Sequence, residues 1–249
     1  MIKHLTYRLT ATIFMVLSFF THISSAETFR VMLHTGAFPP YFFKEGDSRT
    51  GTIRDIFTAI TQETGDSVEY IRVPFKRSLR LFDTGKIDIE PMTNPIWRKS
   101  SSVQGSYSIP FAVSDEVILF RQEQYIAVHS PEDLLGKTVG VIKGYYYPIY
   151  EPYFADGRIK PNRLNSGHKL IQLLLAGRLD QALINKDFAQ YQIKTQHYTK
   201  QLVIGESNSV VEQMIRFHPA KKSALPRFNK AIKKLLKDGS IKRIYDRYR

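Results

Sequence analysis

Thr28-Phe29-Arg30-Val31-Met32-Leu33-His34 reads as a short strand, and it runs directly into Gly36-Ala37-Phe38-Pro39-Pro40-Tyr41. The second stretch cannot be regular structure, because adjacent prolines fix φ and remove backbone donors. Outward from this pair, Gly51 to Glu63 places Ile53, Ile56, Phe57 and Ile60 at spacings of three and four. That is the stripe of an amphipathic helix, ending near Gly65. Val68 to Val73 alternates as a strand does, Arg77 to Phe82 reads as helix, and Gly85 to Ile89 turns back into strand. Strand, helix, strand, helix, strand with short connections predicts an α/β fold built on a mostly parallel sheet covered by helices. In such sheets ligands bind beyond the carboxyl ends of the strands.

Val113 to Phe120 is a strand with two acids in it, and after it the pattern starts again as a second lobe. Ser130-Pro131-Glu132-Asp133 is a helix start, with Ser as cap, Pro at the first position and acids in the first turn, and Gly136 stops it. Thr138 to Ile142 is the next strand, breaking at Gly144. Ser166 caps a helix carrying Leu170, Leu173 and Leu174 that ends at Gly177, and Leu179 to Ile184 is a further strand. Val210 to Phe217 closes the series of strands. Pro226 then opens a helix with Phe228, Ala231, Ile232, Leu235 and Leu236 on one face, and Asp238-Gly239-Ser240 restarts a shorter one with Ile241, Ile244, Tyr245 and Tyr248. This terminal apolar stripe needs a partner surface, which the first lobe is expected to supply.

The 249 residues are 43% hydrophobic and 24% charged, a globular composition that excludes intrinsic disorder. The absence of Cys excludes a disulfide, a thiol nucleophile, a thiolate zinc site and an acylated N-terminal Cys. Lys3 and Arg8 precede an apolar run from Leu9 to Phe20, and Ser24-Ser25-Ala26 closes the stretch. Residues 1–26 therefore read as a secretory signal peptide cleaved after Ala26, because the run is short of the roughly 20 residues that span a bilayer. The alternative is an uncleaved N-terminal anchor. Cleavage removes Lys3 and Arg8 and no acid, taking the formal charge from +13 to +11. A basic surface draws anionic partners. Most of its C-terminal cations, such as Lys230, Lys233, Lys234 and Lys237, fit the solvated face of a helix. No aromatic residues interleave with them, so nucleic acid is not an expected partner.

Several short motifs stand in order along the chain. They are Phe38-Pro39-Pro40-Tyr41, Gly51 with Asp55-Ile56, Gly85-Lys86-Ile87-Asp88, Arg98, and Tyr107-Ser108-Ile109-Pro110-Phe111. Leu134 to Val141 with Gly144, Ala176-Gly177-Arg178-Leu179-Asp180, and Lys237-Asp238-Gly239-Ser240 follow. Together they resemble the family 3 bacterial solute-binding proteins, periplasmic receptors best known from polar amino acid uptake, over nearly all of the mature chain. The resemblance implies a two-lobed, type II periplasmic-binding-protein-like clamp. Residues 27–112 and 213–249 would form lobe 1 and residues 113–212 lobe 2, with crossings near Phe111 to Val117 and Ser209 to Met214. It implies a periplasmic monomer without cofactor or metal. Its ligand would be a small anionic or zwitterionic molecule, amino acid-like or another carboxylate, and its partner an ABC-type membrane permease or a sensor.

In that family an Arg at the position matching Arg98 holds the ligand carboxylate, which suits the planar fork of a guanidinium. The stretch from Asp88 to Arg98 is shorter than the usual pattern, so the loop around Pro91, Met92 and Thr93 is expected to have a different shape. Phe38 and Phe75 match positions where rings sandwich the ligand side chain, although either could be plain core. Arg77 at a helix start, Glu90 at a strand end, Thr93, and Trp97 beside Arg98 complete the expected wall of lobe 1. On lobe 2, Asn185 stands where amino acid receptors usually place an Asp for the ligand ammonium. A neutral amide cannot offset that charge, so α-amino acids should bind more weakly unless Glu90 or Asp187 substitutes, and Asn185→Asp should strengthen them. Tyr145, Tyr146 and Tyr147 replace a small hydroxyl residue and either narrow the cleft, add stacking surface or pack on lobe 2. An enzyme on the same fold, dehydratase-like with Glu90 as acid or base, is the competing reading. His34, His129, His168, His197 and His218 show neither metal-ligand spacing nor a nucleophile elbow.

Overall fold

The structure, a computed structural model, describes residues 26–248. The expected signal peptide lies outside the described residues except for Ala26. β1 (Thr28–His34) buries Phe29, Val31, Met32 and Leu33 and is therefore covered on both faces. It runs parallel to β2 (Ser67–Val73), with Thr28 opposite Ser67 and His34 opposite Val73, and to β3 (Ile89–Thr93) on its other side. β3 in turn takes an antiparallel neighbour, β9 (Leu202–Phe217), which also pairs with the short β4 (Ser106–Tyr107).

At 16 residues β9 is long enough, at about 3.3 Å per residue, to leave one lobe and enter the other. It runs antiparallel along β5 (Ala112–Arg121), from Ala112 opposite Gln213 to Arg121 opposite Leu202. Beyond β5 lie β8 (Gln181–Asn185), β6 (Thr138–Ile142) and β7 (Lys160–Leu164), the last three mutually parallel. The full order is β2-β1-β3-β9-β5-β8-β6-β7. Each half of this path repeats the parallel unit, and the antiparallel β5 and β9 carry the chain between them.

The helices are α1 (Thr52–Thr64), α2 (Phe75–Asp83), α3 (Glu151–Ala155), α4 (Gly167–Leu175), α5 (Lys186–Thr195), α6 (Leu225–Lys237) and α7 (Ser240–Asp246). As the stripe predicted, the terminal pair closes on the first lobe: Phe228, Ala231, Ile232 and Ile241 share a core with Ile53, Ile56, Phe57 and Phe29. Leu236 does not join it and is 43% exposed. It follows Leu235 by one residue and so points about 100° away from the buried stripe.

Three assignments shift. The strand expected over 85–89 begins at Ile89, where pairing to Val31 starts. The strand expected from Val210 begins at Leu202, because the polar run through Gly205 to Ser209 is paired to β5 and carries no apolar alternation. The helix at Ser130 is a single 3-10 turn, Pro131–Leu134, held by the Asp133 carboxylate accepting from the His129 and Ser130 amides at 2.8 and 3.1 Å. The loop between β1 and α1, which contains a cis Pro39-Pro40 bond, folds back against Gly51. Gly51 has φ 92°, and a Cβ there would lie 2.5 Å from the Tyr41 carbonyl, so only glycine fits. The Tyr248 hydroxyl accepts the Gly51 N–H at 3.0 Å and donates to Asp55 at 2.8 Å, tying the last turn of the chain to this loop.

Candidate ligand-binding cleft

A cavity of about 270 Å3 opens between the lobes at the carboxyl ends of β1, β3, β6 and β8. Lobe 1 lines it with His34, Phe38, Tyr41, Phe75, Glu90, Met92, Trp97 and Arg98, and lobe 2 with Ser114, Glu116, Tyr145, Tyr146, Tyr147 and Asn185. Its walls are mostly apolar and rich in aromatic rings, with a few convergent polar groups, the usual make-up of a small-molecule site.

The charge on the lobe 1 side comes from strand register. Glu90 on β3 faces Arg216 on β9, and the Arg216 Nη1 donates to Glu90 Oε2 at 2.8 Å. From the other side the Arg98 Nε donates at 3.0 Å to both carboxylate oxygens, and its Nη2 donates to Oε1. Arg216 is fully buried, and its Nε and Nη2 donate to the Gln104 and Val103 carbonyls. Burial pushes the Glu90 carboxyl up, but the two guanidiniums outweigh it and hold the group below the ordinary carboxylate range. The cluster is therefore ionised, with one net positive charge. A carboxylate so held is a poor acid or base at neutral pH, which removes the catalytic role that the competing reading gave Glu90.

Arg98 accordingly presents less than its whole fork to the cavity. Its Nη1 also donates to the Trp97 carbonyl at 2.9 Å. Of five N–H groups three are engaged, leaving one hydrogen on Nη1 and one on Nη2. The guanidinium carbon sits 5.2 Å from the Phe75 ring centroid, and Phe75 touches His34 at 4.7 Å and Tyr145 at 5.4 Å. Burial pushes the His34 imidazole down to about 4, so it is neutral here. In the loop around Pro91, Met92 and Thr93, β3 shifts register between Glu90 and Thr93, and Met92 adopts φ 50° and lines the cavity.

Lobe-to-lobe contacts hold the cleft closed. Phe38 stacks on Tyr41 at 5.4 Å and on Phe188 of lobe 2 at 4.6 Å, and it packs against the cores of both lobes. Much of the ring surface expected to serve a ligand thus joins the lobes instead. The Tyr41 hydroxyl lies 3.0 Å from Asn185 Oδ1 and 3.0 Å from Asp187 Oδ2, its one proton shared between them. Arg49 adds a bond to the Tyr191 hydroxyl at 2.6 Å.

Asn185 is committed as well. Its Oδ1 accepts the Phe188 N–H at 3.1 Å, capping α5, and its Nδ2 donates to Ser114 Oγ at 3.2 Å. The residue singled out as the altered ammonium site therefore caps a helix and receives the latch tyrosine. Of the three tyrosines, Tyr145 lines the cavity against Phe75, Tyr146 sits at its rim with 43% exposure, and Tyr147 packs in the lobe 2 core, its hydroxyl accepting the Ile142 N–H at 3.0 Å. Arg77 is exposed on α2 and lines no part of the cavity, because Phe75 and Ser78 take the inward positions of that helix. Thr93 is buried behind the wall, since the bulge turns Met92 toward the cavity in its place.

The sequence reading passed over His34, Tyr41 and Glu116 as site residues. Glu116 projects from β5, opposite Asn185 on β8 and Ser209 on β9. Among the described residues its carboxyl has no hydrogen-bond or ion-pair partner, and burial, helped by Asp115, raises it to about 8. The signal was present: an acid directly before the apolar run Val117 to Phe120 of a predicted strand. Among the described residues no group of His, Asp and Glu is arranged to hold a metal, and no helix is long and apolar enough to cross a membrane.

The sequence profile of the bacterial extracellular solute-binding proteins, family 3, matches residues 31–249. The probable amino-acid-binding protein YxeM of Bacillus subtilis is 23% identical over 90% of this chain and 86% of its own. The L-cystine-binding protein TcyJ of Escherichia coli is 24% identical over 86% of this chain and 79% of its own. An ancestral arginine-binding protein bound to arginine superposes with a TM-score of 0.75 at 26% identity, covering 89% of this chain and 97% of that one.

Proposed function

Because the chain belongs to family 3 of the bacterial extracellular solute-binding proteins, a family of small-molecule receptors rather than enzymes that work outside the cytoplasm, we propose that its cleft holds an amino acid or a close carboxylate analogue. The ligand carboxylate is received end-on by the Arg98 hydrogens that Glu90 and Trp97 leave free, while Phe75, Trp97 and Tyr145 supply stacking surface. The observation that carries this reading is a buried guanidinium with unclaimed donors inside an aromatic cavity between two lobes. The names of the relatives, an amino-acid binder, a cystine binder and an arginine binder, point to the same ligand class.

In this reading residues 27–112 and 213–249 move against residues 113–212 about β5 and β9, and ligand shifts the population toward the closed form that a permease or sensor recognises. The working protein is a monomer with no nucleic-acid partner, released by cleavage after Ala26, which N-terminal sequencing of the exported protein checks. Thermal shift and calorimetry on residues 27–249 with L-arginine, L-cystine, L-phenylalanine and 3-phenylpropanoate test the ligand class. A ligand at about 100 times its Kd stabilises by about 2.7 kcal/mol, a rise of roughly 5–10 °C in Tm. Arg98→Ala is expected to weaken the carboxylate-bearing hit at least about tenfold. Unchanged affinity would place the carboxylate elsewhere, and silence from all four probes would overturn the ligand class.

A further inference from the structure

Two acids line the cleft, Glu90 and Glu116. Glu90 is saturated by Arg98 and Arg216. Asn185, at the position from which a ligand ammonium would be expected to draw an acceptor, is neutral and bonded at both ends of its amide. What is left is one carboxyl, on lobe 2, lining the cavity and without a hydrogen-bond or ion-pair partner among the described residues.

We infer that Glu116 is the acceptor for a cationic group of the ligand, an ammonium or guanidinium, and that such a ligand takes its place with release of the carboxyl proton. The inference rests on the proposed carboxylate reading of the same cleft. A zwitterion spanning the cavity would set its carboxylate against the net positive cluster on lobe 1 and its cation against Glu116 on lobe 2, with neither charge left unpaired. The groups around Glu116 agree. Asp115, the neighbouring acid on β5, is already paired to Lys186 at 2.9 Å and adds negative potential. Tyr145 and Tyr147, from the segment after β6, carry hydroxyls that burial keeps protonated. Across the cleft His34 is neutral, and Arg98 is ion-paired to Glu90. With its own carboxyl raised to about 8, Glu116 is mostly protonated in the empty cleft at pH 7, and pairing with a cation expels that proton.

Calorimetry at pH 7 in phosphate and in Tris, whose ionisation enthalpies differ, counts the protons released on binding. The probes are L-phenylalanine, 2-phenylethylamine, which keeps only the ammonium, and 3-phenylpropanoate, which keeps only the carboxylate. The expected result is release of close to one proton with either ammonium-bearing probe and none with 3-phenylpropanoate. Affinity for the ammonium-bearing probes rises with pH and levels off above about 8. In Glu116→Gln the proton release disappears, and the preference for L-phenylalanine over 3-phenylpropanoate falls at least about tenfold. Binding of an ammonium-bearing probe without proton release, or release that persists in Glu116→Gln, overturns the assignment. Proton-coupled binding of 2-phenylethylamine alone sustains Glu116 while the carboxylate reading fails. Binding of 3-phenylpropanoate alone does the reverse, and silence from all three probes overturns both. The proton count in the unaltered protein is decisive even where Glu116→Gln does not fold.

Discussion

Glu90 and Glu116 are both acids of the cleft, one on each lobe, and they meet the cost of burial in opposite ways. Glu90 stays ionised because Arg216, its cross-strand neighbour, and Arg98, eight residues along the chain, surround it. Glu116 has no counter-ion among the described residues, and burial favours its protonated form. The first is a structural element that fixes the β3–β9 junction and aims Arg98. The second is a carboxyl whose partner is supplied from outside the chain. A buried acid already paired by the protein thus serves the fold, and one left unpaired at a cavity wall is the place to look for ligand chemistry.

Removing one member of the paired wall should produce the largest effect. Arg216→Ala leaves Glu90 with one counter-ion and strands the Val103 and Gln104 carbonyls, and an expected loss of about 3–5 kcal/mol would appear in urea unfolding as a lower midpoint. Glu116→Gln should instead raise stability at pH 7, by up to about 3 kcal/mol, because the unaltered chain must take up a proton there on folding and a glutamine need not. Equal losses in the two variants would erase the distinction between the walls.

The two acids also predict opposite pH dependences. Glu90 titrates below its unfolded value of 4.5, so its contribution is present above pH 4.5 and is lost as pH falls through the lower folded value. Glu116 titrates near 8 in the folded protein and near 4.5 unfolded, so the folded state holds the extra proton between those values. Stability should fall as pH rises through that window, by up to about 1.4 kcal/mol per pH unit, and the loss is complete above 8. Tm followed from pH 3 to 9 should show the alkaline limb flatten in Glu116→Gln and the acid limb flatten in Glu90→Gln. An unaltered alkaline limb in Glu116→Gln would mean that Glu116 is ionised at neutral pH.

The alternation of strand and helix was legible because each element has its own period, and so was the docking of α6 and α7, whose apolar stripe had to be covered. β9 was half hidden: in the polar run from Gly205 to Ser209 the strand is held by backbone pairing of Ser207 and Ser209 to β5, which leaves no apolar signature. At the site, Arg98, Phe75 and Tyr145, expected from the family resemblance, and Glu90 and Trp97, expected from a strand end and from adjacency to Arg98, all line the cavity. Who pairs with whom was not legible, since the Glu90–Arg216 contact spans 126 residues and depends on a register that only the folded sheet sets. Arg77 and Thr93 failed for a related reason: a residue next to a cleft position in sequence turns away from it when a helix or a bulge intervenes.

The smallest effect sharpens the comparison most, because it concerns a charge added beside the unpaired wall. From sequence alone Asn185→Asp should strengthen α-amino acid binding. In the folded protein the Asn185 oxygen receives the Tyr41 hydroxyl and the Phe188 amide, and its nitrogen faces the Ser114 hydroxyl, which can donate as readily as accept. An Asp there keeps the helix cap, and its charge gains from the N-terminus of α5 while losing to Asp187 on the same turn. Stability should change by less than about 0.5 kcal/mol. With its lone pairs engaged by protein donors the new carboxylate would attract the ligand only at a distance, so affinity for L-phenylalanine should rise less than about threefold by calorimetry. A tenfold gain would show that the charge reaches the ammonium directly, and Glu116 would then no longer be the sole acceptor in the cleft.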